Sequence, residues 1–139
     1  MQTRLLFYKG RHPGSSIWDK LICFATNSEF SHVELSLQSD GNAYHCWSSS
    51  FMDGGVRGKI ITIDPAKWVI VDCDRPVNTE VLISQIGKKY DYIGLIGTLI
   101  KIRIFESSNK WFCSELIATA LGMENAWQQT PKSIYENRV

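Results

Sequence analysis

Ser31-His32-Val33-Glu34-Leu35-Ser36-Leu37, then Ser39-Asp40-Gly41-Asn42 and Ala43-Tyr44-His45-Cys46-Trp47-Ser48, is the stretch that decides the fold. The first segment alternates strictly, with Val33, Leu35 and Leu37 on one face and His32, Glu34 and Ser36 on the other. That pattern predicts a half-buried strand. Asp40-Gly41 carries the hairpin signal, so the chain turns back as an antiparallel strand. With the turn centred between Asp40 and Gly41, His45 pairs with Ser36 and Trp47 with Glu34. This register puts His45 on the polar face that carries His32 and Glu34 and sends Cys46 to the apolar face. An antiparallel sheet is the implied framework.

The second element is Trp111-Phe112-Cys113-Ser114-Glu115-Leu116-Ile117-Ala118-Thr119-Ala120-Leu121-Gly122. Cys113, Leu116, Ile117, Ala120 and Leu121 share one face at helical spacing, and Gly122 stands where a C-terminal cap belongs. A thiol on the first turn of a helix feels unpaired N–H groups and the positive end of the dipole. Both favour the thiolate, which is the nucleophilic form. Taken alone, such a cysteine reads more readily as core than as nucleophile. Two histidines and a carboxylate on one hairpin face change the reading. They supply a base and a group to orient it, the remaining parts of a Cys–His nucleophilic site.

Ser31-His32-Val33-Glu34-Leu35, Tyr90-Asp91-Tyr92-Ile93-Gly94 and Phe112-Cys113-Ser114-Glu115-Leu116-Ile117-Ala118 together resemble the circularly permuted branch of the NlpC-type papain-like superfamily. Lecithin-retinol acyltransferase-like proteins share this order, in which the histidine precedes the cysteine. The resemblance spans roughly residues 4 to 122. It implies an α+β fold, a small antiparallel sheet or partial barrel packed against helices, over residues 1–139 as a single permuted papain-like domain. It also implies thiol-based hydrolysis or acyl transfer at an amide or ester, with Cys113 as nucleophile and His32 as base.

The third polar residue of the family lies about a dozen positions after the histidine, and His45 fits that spacing. The simple hairpin register leaves it about 13 Å from His32, a gap that twist or a bulge must close. Glu34 competes as orienter because it shares the face within about 7 Å. Tyr90 and Tyr92 read either as packing at a helix boundary or as a substrate-binding wall near Cys113. A tyrosine hydroxyl or the Cys113 N–H would serve as oxyanion donor. The expected substrate is a peptide or acyl group, a peptidoglycan peptide in a bacterial or phage setting. Lipid acyl transfer and an inactive binding module of the same fold are the alternatives.

Length supports one domain with a real core, and the 44% hydrophobic content agrees with that. A net charge of +1 gives no nucleic-acid footprint. The sequence opens without the apolar run of a signal peptide, so a cytoplasmic location is expected. No run reaches transmembrane length, so no stable membrane insertion is expected. Residues 92–100 read as a buried helix or a lipid-facing patch. No cofactor is called for. The four cysteines lack Cys-x-x-Cys spacing, which disfavours a structural zinc, although His32, His45 and Cys113 form a conceivable three-ligand set. Cys23 and Cys73 read as core.

The remaining segments fit around these. Ser15 or Ser16 caps a helix through about Ala25, with Ile17, Leu21, Phe24 and Ala25 inward. Core and surface roles are expected for Trp18 and Asp19, although the resemblance puts this segment near the cleft and so implies substrate contact for them; His12 is expected in an exposed loop. Asp53-Gly54-Gly55-Val56-Arg57-Gly58 reads as a flexible turn bordering the site, since it lacks the ending of a phosphate loop. Strands are expected at Lys59–Ile63 and Trp68–Cys73, and a helix from Asn78 or Thr79 to about Lys88. Trp127, Pro131, Ile134 and Tyr135 are expected to anchor the tail.

Overall fold

Alternation and helical spacing resolve into one sheet with helices packed on it. The structure, a computed structural model, describes residues 2–50, 52–90, 110–111 and 113–137, with backbone alone at 25, 26, 90, 110, 111 and 127. The order is β1 (Arg4–Lys9), α1 (Ile17–Thr26), β2 (Phe30–Asp40), β3 (Ala43–Ser50), β4 (Gly55–Thr62), β5 (Trp68–Asp72), α2 (Thr79–Ser84), β6 (Lys89–Tyr90), β7 (Lys110–Trp111), α3 (Cys113–Ala120) and α4 (Pro131–Glu136), with a 3-10 turn at Ala126–Gln128 before α4. Five antiparallel strands run β5-β1-β2-β3-β4, and β6 and β7 extend the β4 edge. This is an α+β arrangement. No helix among the described residues is long and apolar enough to cross a membrane. The expected helix over residues 92–100 lies outside the described residues.

One face of the sheet carries the main core. Leu5 and Phe7 of β1 and Val33 and Leu35 of β2 pack against Leu116, Ile117 and Ala120 of α3 and Ile134 of α4. The predicted inward set of α3, Cys113 included, is buried, and so are Ser114, Glu115 and Ala118. A helix buried on nearly every side has few positions free to change. Tyr135 adds an edge-on contact to Phe7 at 5.2 Å, so Pro131, Ile134 and Tyr135 do anchor the tail. Cys23 and Cys73 are buried, as expected.

Four expectations are corrected. First, the hairpin register differs. The turn closes Asp40 onto Ala43, and a bulge between Ser36 and Gln38 then sets Ser36 opposite Cys46 and Leu35 opposite Trp47. One extra residue exchanges the faces of everything beyond it. Second, residues 55–58 are strand and not a flexible turn. Gly58 lies under the Trp47 indole, where a Cβ would come within 2.8 Å of Nε1, and a Cβ at Gly55 would strike the Lys88 carbonyl. Third, α1 turns its apolar stripe outward. Ile17, Leu21 and Phe24 are exposed, while Asp19, Ile22 and Cys23 are buried. Asp19 closes a capping box with Ser16 and accepts the Ser31 hydroxyl at 2.5 Å, which fixes the rotation of the helix. Fourth, α2 ends at Ser84 rather than near Lys88.

Candidate active site

The site lies on the second face of the sheet. Tyr8, His32, Glu34, Arg57, Lys59, Ile61 and Trp68 project there from four strands. Pairing of Tyr8 with His32, Leu6 with Glu34, Ser48 with Arg57 and Cys46 with Lys59 fixes their order. Together with Ser16, Asp19, Ser50 and Met52 they line a cavity of about 400 Å³. Trp68 packs edge-on against both Tyr8 and His32.

His32 is the centre of the arrangement. Its Nε2 is hydrogen-bonded to Oε2 of Glu34, and its ring is also within hydrogen-bonding reach of the Cys113 sulfur. Burial lowers the His32 pKa. The charge on Cys113, then that on Glu34, and hydrogen bonds to both outweigh it and raise the pKa to about 10. A protonated imidazole between a sulfur and a carboxylate is therefore the favoured state at neutral pH.

Glu34 is fully buried, yet its carboxyl is held below the usual carboxylate range. Burial pushes the other way. The His32 charge and the Arg57 guanidinium overcome it. Arg57 binds both Glu34 oxygens, at 2.7 and 2.6 Å, a bidentate geometry that suits a buried pair. The same guanidinium donates from Nε to Asp53 at 2.8 Å, and Lys59 joins Asp53 at 2.8 Å. The result is a chain of alternating charge from His32 through Glu34, Arg57 and Asp53 to Lys59.

Cys113, His32 and Glu34 are thus brought together. His45 is not. It pairs with Gln38 on the far side of the bulge and falls on the face shared with Trp47, opposite His32. Glu34 rather than His45 is the group hydrogen-bonded to His32, and the set His32, His45 and Cys113 cannot converge on a metal. Among the described residues no group of three or more His, Cys, Asp or Glu side chains could hold one. Cys46 lies on the site face, not the opposite one, where burial first and the Glu34 charge second push its thiol up to about 12. His12 is not a free loop residue either; its Nε2 meets the Tyr8 hydroxyl at 2.6 Å. Tyr90 contributes backbone to β6, and Tyr92 lies outside the described residues. Cys113 is 4% exposed and is not among the residues lining the cavity, which opens instead onto His32 and Glu34.

Arg57 was not singled out by sequence reasoning. The available signal was the alternation of Val56, Arg57, Gly58 and Lys59 into the following strand, hidden by the glycines on either side.

No family profile matches the sequence, and no curated protein matches it. Among solved structures the fold is similar to that of the metalloprotein YiiX from Escherichia coli O157:H7, a DUF1105 protein. The TM-score is 0.52 at 20% identity, over 88% of this chain and 67% of that one. At that identity the likeness concerns the fold alone.

Proposed function

We propose that this chain is a thiol hydrolase of the cysteine peptidase or amidase type, with the permuted NlpC-like papain architecture that its sequence resembles. The observation that carries the reading is His32 held between the Cys113 sulfur and the Glu34 carboxylate. Cys113 is the first residue of α3, so its own N–H and those following it lack helical partners. They would donate to a developing oxyanion.

In this mechanism the Cys113 thiolate attacks the carbonyl carbon of an amide. The tetrahedral intermediate collapses with cleavage of the C–N bond, and protonated His32 gives its proton to the leaving amine. Neutral His32 then takes a proton from water, which attacks the thioester. The acid leaves and the Cys113–His32 ion pair is restored. Glu34 keeps the ring oriented and stabilises its positive charge. A peptide amide, including one in peptidoglycan, is the substrate class that the resemblance suggests. Zinc chemistry finds little support in the donor set, because Arg57 occupies both Glu34 oxygens and Glu34 occupies His32 Nε2.

The test is alkylation by iodoacetamide followed site by site with mass spectrometry, joined to a screen of peptide and ester substrates. Cys113 should react faster than Cys23, Cys46 and Cys73, and Cys113→Ala should abolish turnover without unfolding the protein. A folded protein whose Cys113 is no faster than the other three would instead be an inactive binding module.

A further inference from the structure

The outward face of α1 has no role in the site described above. Ile17, Trp18, Leu21 and Phe24 are all exposed, Ile17 at 71% and Phe24 at 81%. At about 100° per residue they form one continuous stripe covering roughly a third of the helix circumference. Single exposed apolar residues need no explanation, but a stripe of four large ones on a ten-residue helix does.

The charges around the stripe are predominantly positive. Lys20 is exposed on α1 beside it. Arg11 reaches the Cys23 carbonyl at 3.0 Å, and Lys132 reaches the carbonyl of the α1 C-cap, Asn27, at 3.1 Å. Glu29 is the acid nearest in sequence beyond that cap, and Asp19 points inward. An apolar face with tryptophan and phenylalanine, edged by lysine and arginine, is the composition of a helix that lies in a lipid–water interface. Docking with a second copy would bring two sets of these cations together. The first turn of α1 also borders the cavity, through Ser16 and Asp19, and exposed Met52 stands on the same rim.

We propose that the outward face of α1 docks this protein on an anionic lipid surface. The proposal is independent of the thiol chemistry, so Cys113→Ala should bind as wild type does.

The experiment is co-sedimentation of the full chain with vesicles of phosphatidylcholine alone and of phosphatidylcholine mixed with phosphatidylglycerol. Wild type should sediment with the mixed vesicles, less with the neutral ones, and less again near 1 M salt, where charge attraction is screened. Phe24→Ser and Leu21→Ser should each weaken binding about tenfold, the value of one large apolar side chain. Both positions are exposed, so circular dichroism should match wild type. Wild type remaining in the supernatant with both vesicles would overturn the proposal, as would binding indifferent to the Phe24→Ser/Leu21→Ser double variant. A dimer in light scattering that Phe24→Ser dissociates, with no vesicle binding, would assign the stripe to a second copy instead.

Discussion

The two faces of the sheet are built from the same strands but stabilised in different ways. On one, Leu5, Phe7, Val33 and Leu35 meet α3 and α4 in an apolar core. On the other, the residues between them, Leu6, Tyr8, His32 and Glu34, bound a small apolar cluster and a chain of charges. Contact area stabilises the first face, and its loss is graded. The second face holds a carboxylate fully out of water, which is tolerable only while its partners remain. The difference teaches why a strand suits this kind of site. Each residue of β2 that faces the site has a neighbour locked in the core, so the charged groups are held by packing they do not themselves supply.

Removing the centre of the charged face should give the largest effect. In His32→Ala, alkylation of Cys113 at pH 7 should slow by about 10²-fold or more, the usual contribution of a positioned proton partner. Circular dichroism should change little, since His32 is not part of the apolar core. An unchanged rate would place Cys113 outside the influence of the ring and collapse the contrast between the faces.

Next comes stability. Glu34→Ala leaves Arg57 and His32 without their shared carboxylate and should cost about 3–5 kcal/mol in urea unfolding. Leu116→Ala on the core face should cost a similar 2–5 kcal/mol by opening a cavity. Their consequences should separate. Leu116→Ala should leave the His32 imidazole protonated at pH 8, as read by its ring nitrogen resonances. Glu34→Gln should lower the His32 pKa. If both variants moved that titration equally, the faces would not be independent.

The same residues mark what was legible in the sequence. Alternation in Val33-Glu34-Leu35 gave both faces of β2, and helical spacing gave the buried side of α3. Those are periodic signals, set by the chain's own geometry. The bulge at Ser36–Gln38 has no such signal, because Leu37 carries neither glycine nor proline to announce it. Missing it exchanged His45 for Cys46 on the site face. Periodicity also found the α1 stripe but not its direction. Asp19 decided that, through bonds to Ser16 and Ser31 that depend on tertiary contact. Arg57 escaped because its strand begins in glycines whose purpose, room for Trp47 and the Lys88 backbone, exists only after folding.

A smaller effect is expected from pH, and its sign differs at the two ends. The folded His32 pKa is raised from 6.5 to about 10, so its contribution is complete below 6.5 and is lost as pH rises through about 10. Glu34 is depressed from 4.5, so its contribution is complete above 4.5 and is lost as pH falls through its folded value. The charged face therefore stabilises most between those two unfolded values. Urea midpoints at pH 5.5 should exceed those at pH 3 and pH 10 by more in wild type than in the His32→Phe/Glu34→Leu double variant. Equal pH dependence in the two proteins would remove these groups from the account.

The smallest effect tests the outer end of the charge chain. Asp53 and Lys59 also form an ion pair at 2.8 Å, but their side chains are 31% and 44% exposed. Water and salt screen such a pair, so Lys59→Met should change stability by no more than about 1 kcal/mol, and by less at high salt. The Glu34–Arg57 pair has the same chemistry at 2.6 Å with its carboxylate fully buried, and salt should leave it unaffected. Measuring Lys59→Met and Arg57→Met at low and high ionic strength sets these predictions side by side. A large, salt-independent loss in Lys59→Met would mean that the whole chain of charges acts as one buried unit. The expected outcome is that burial divides it at Arg57, with a structural half facing His32 and a solvated half at the cavity mouth.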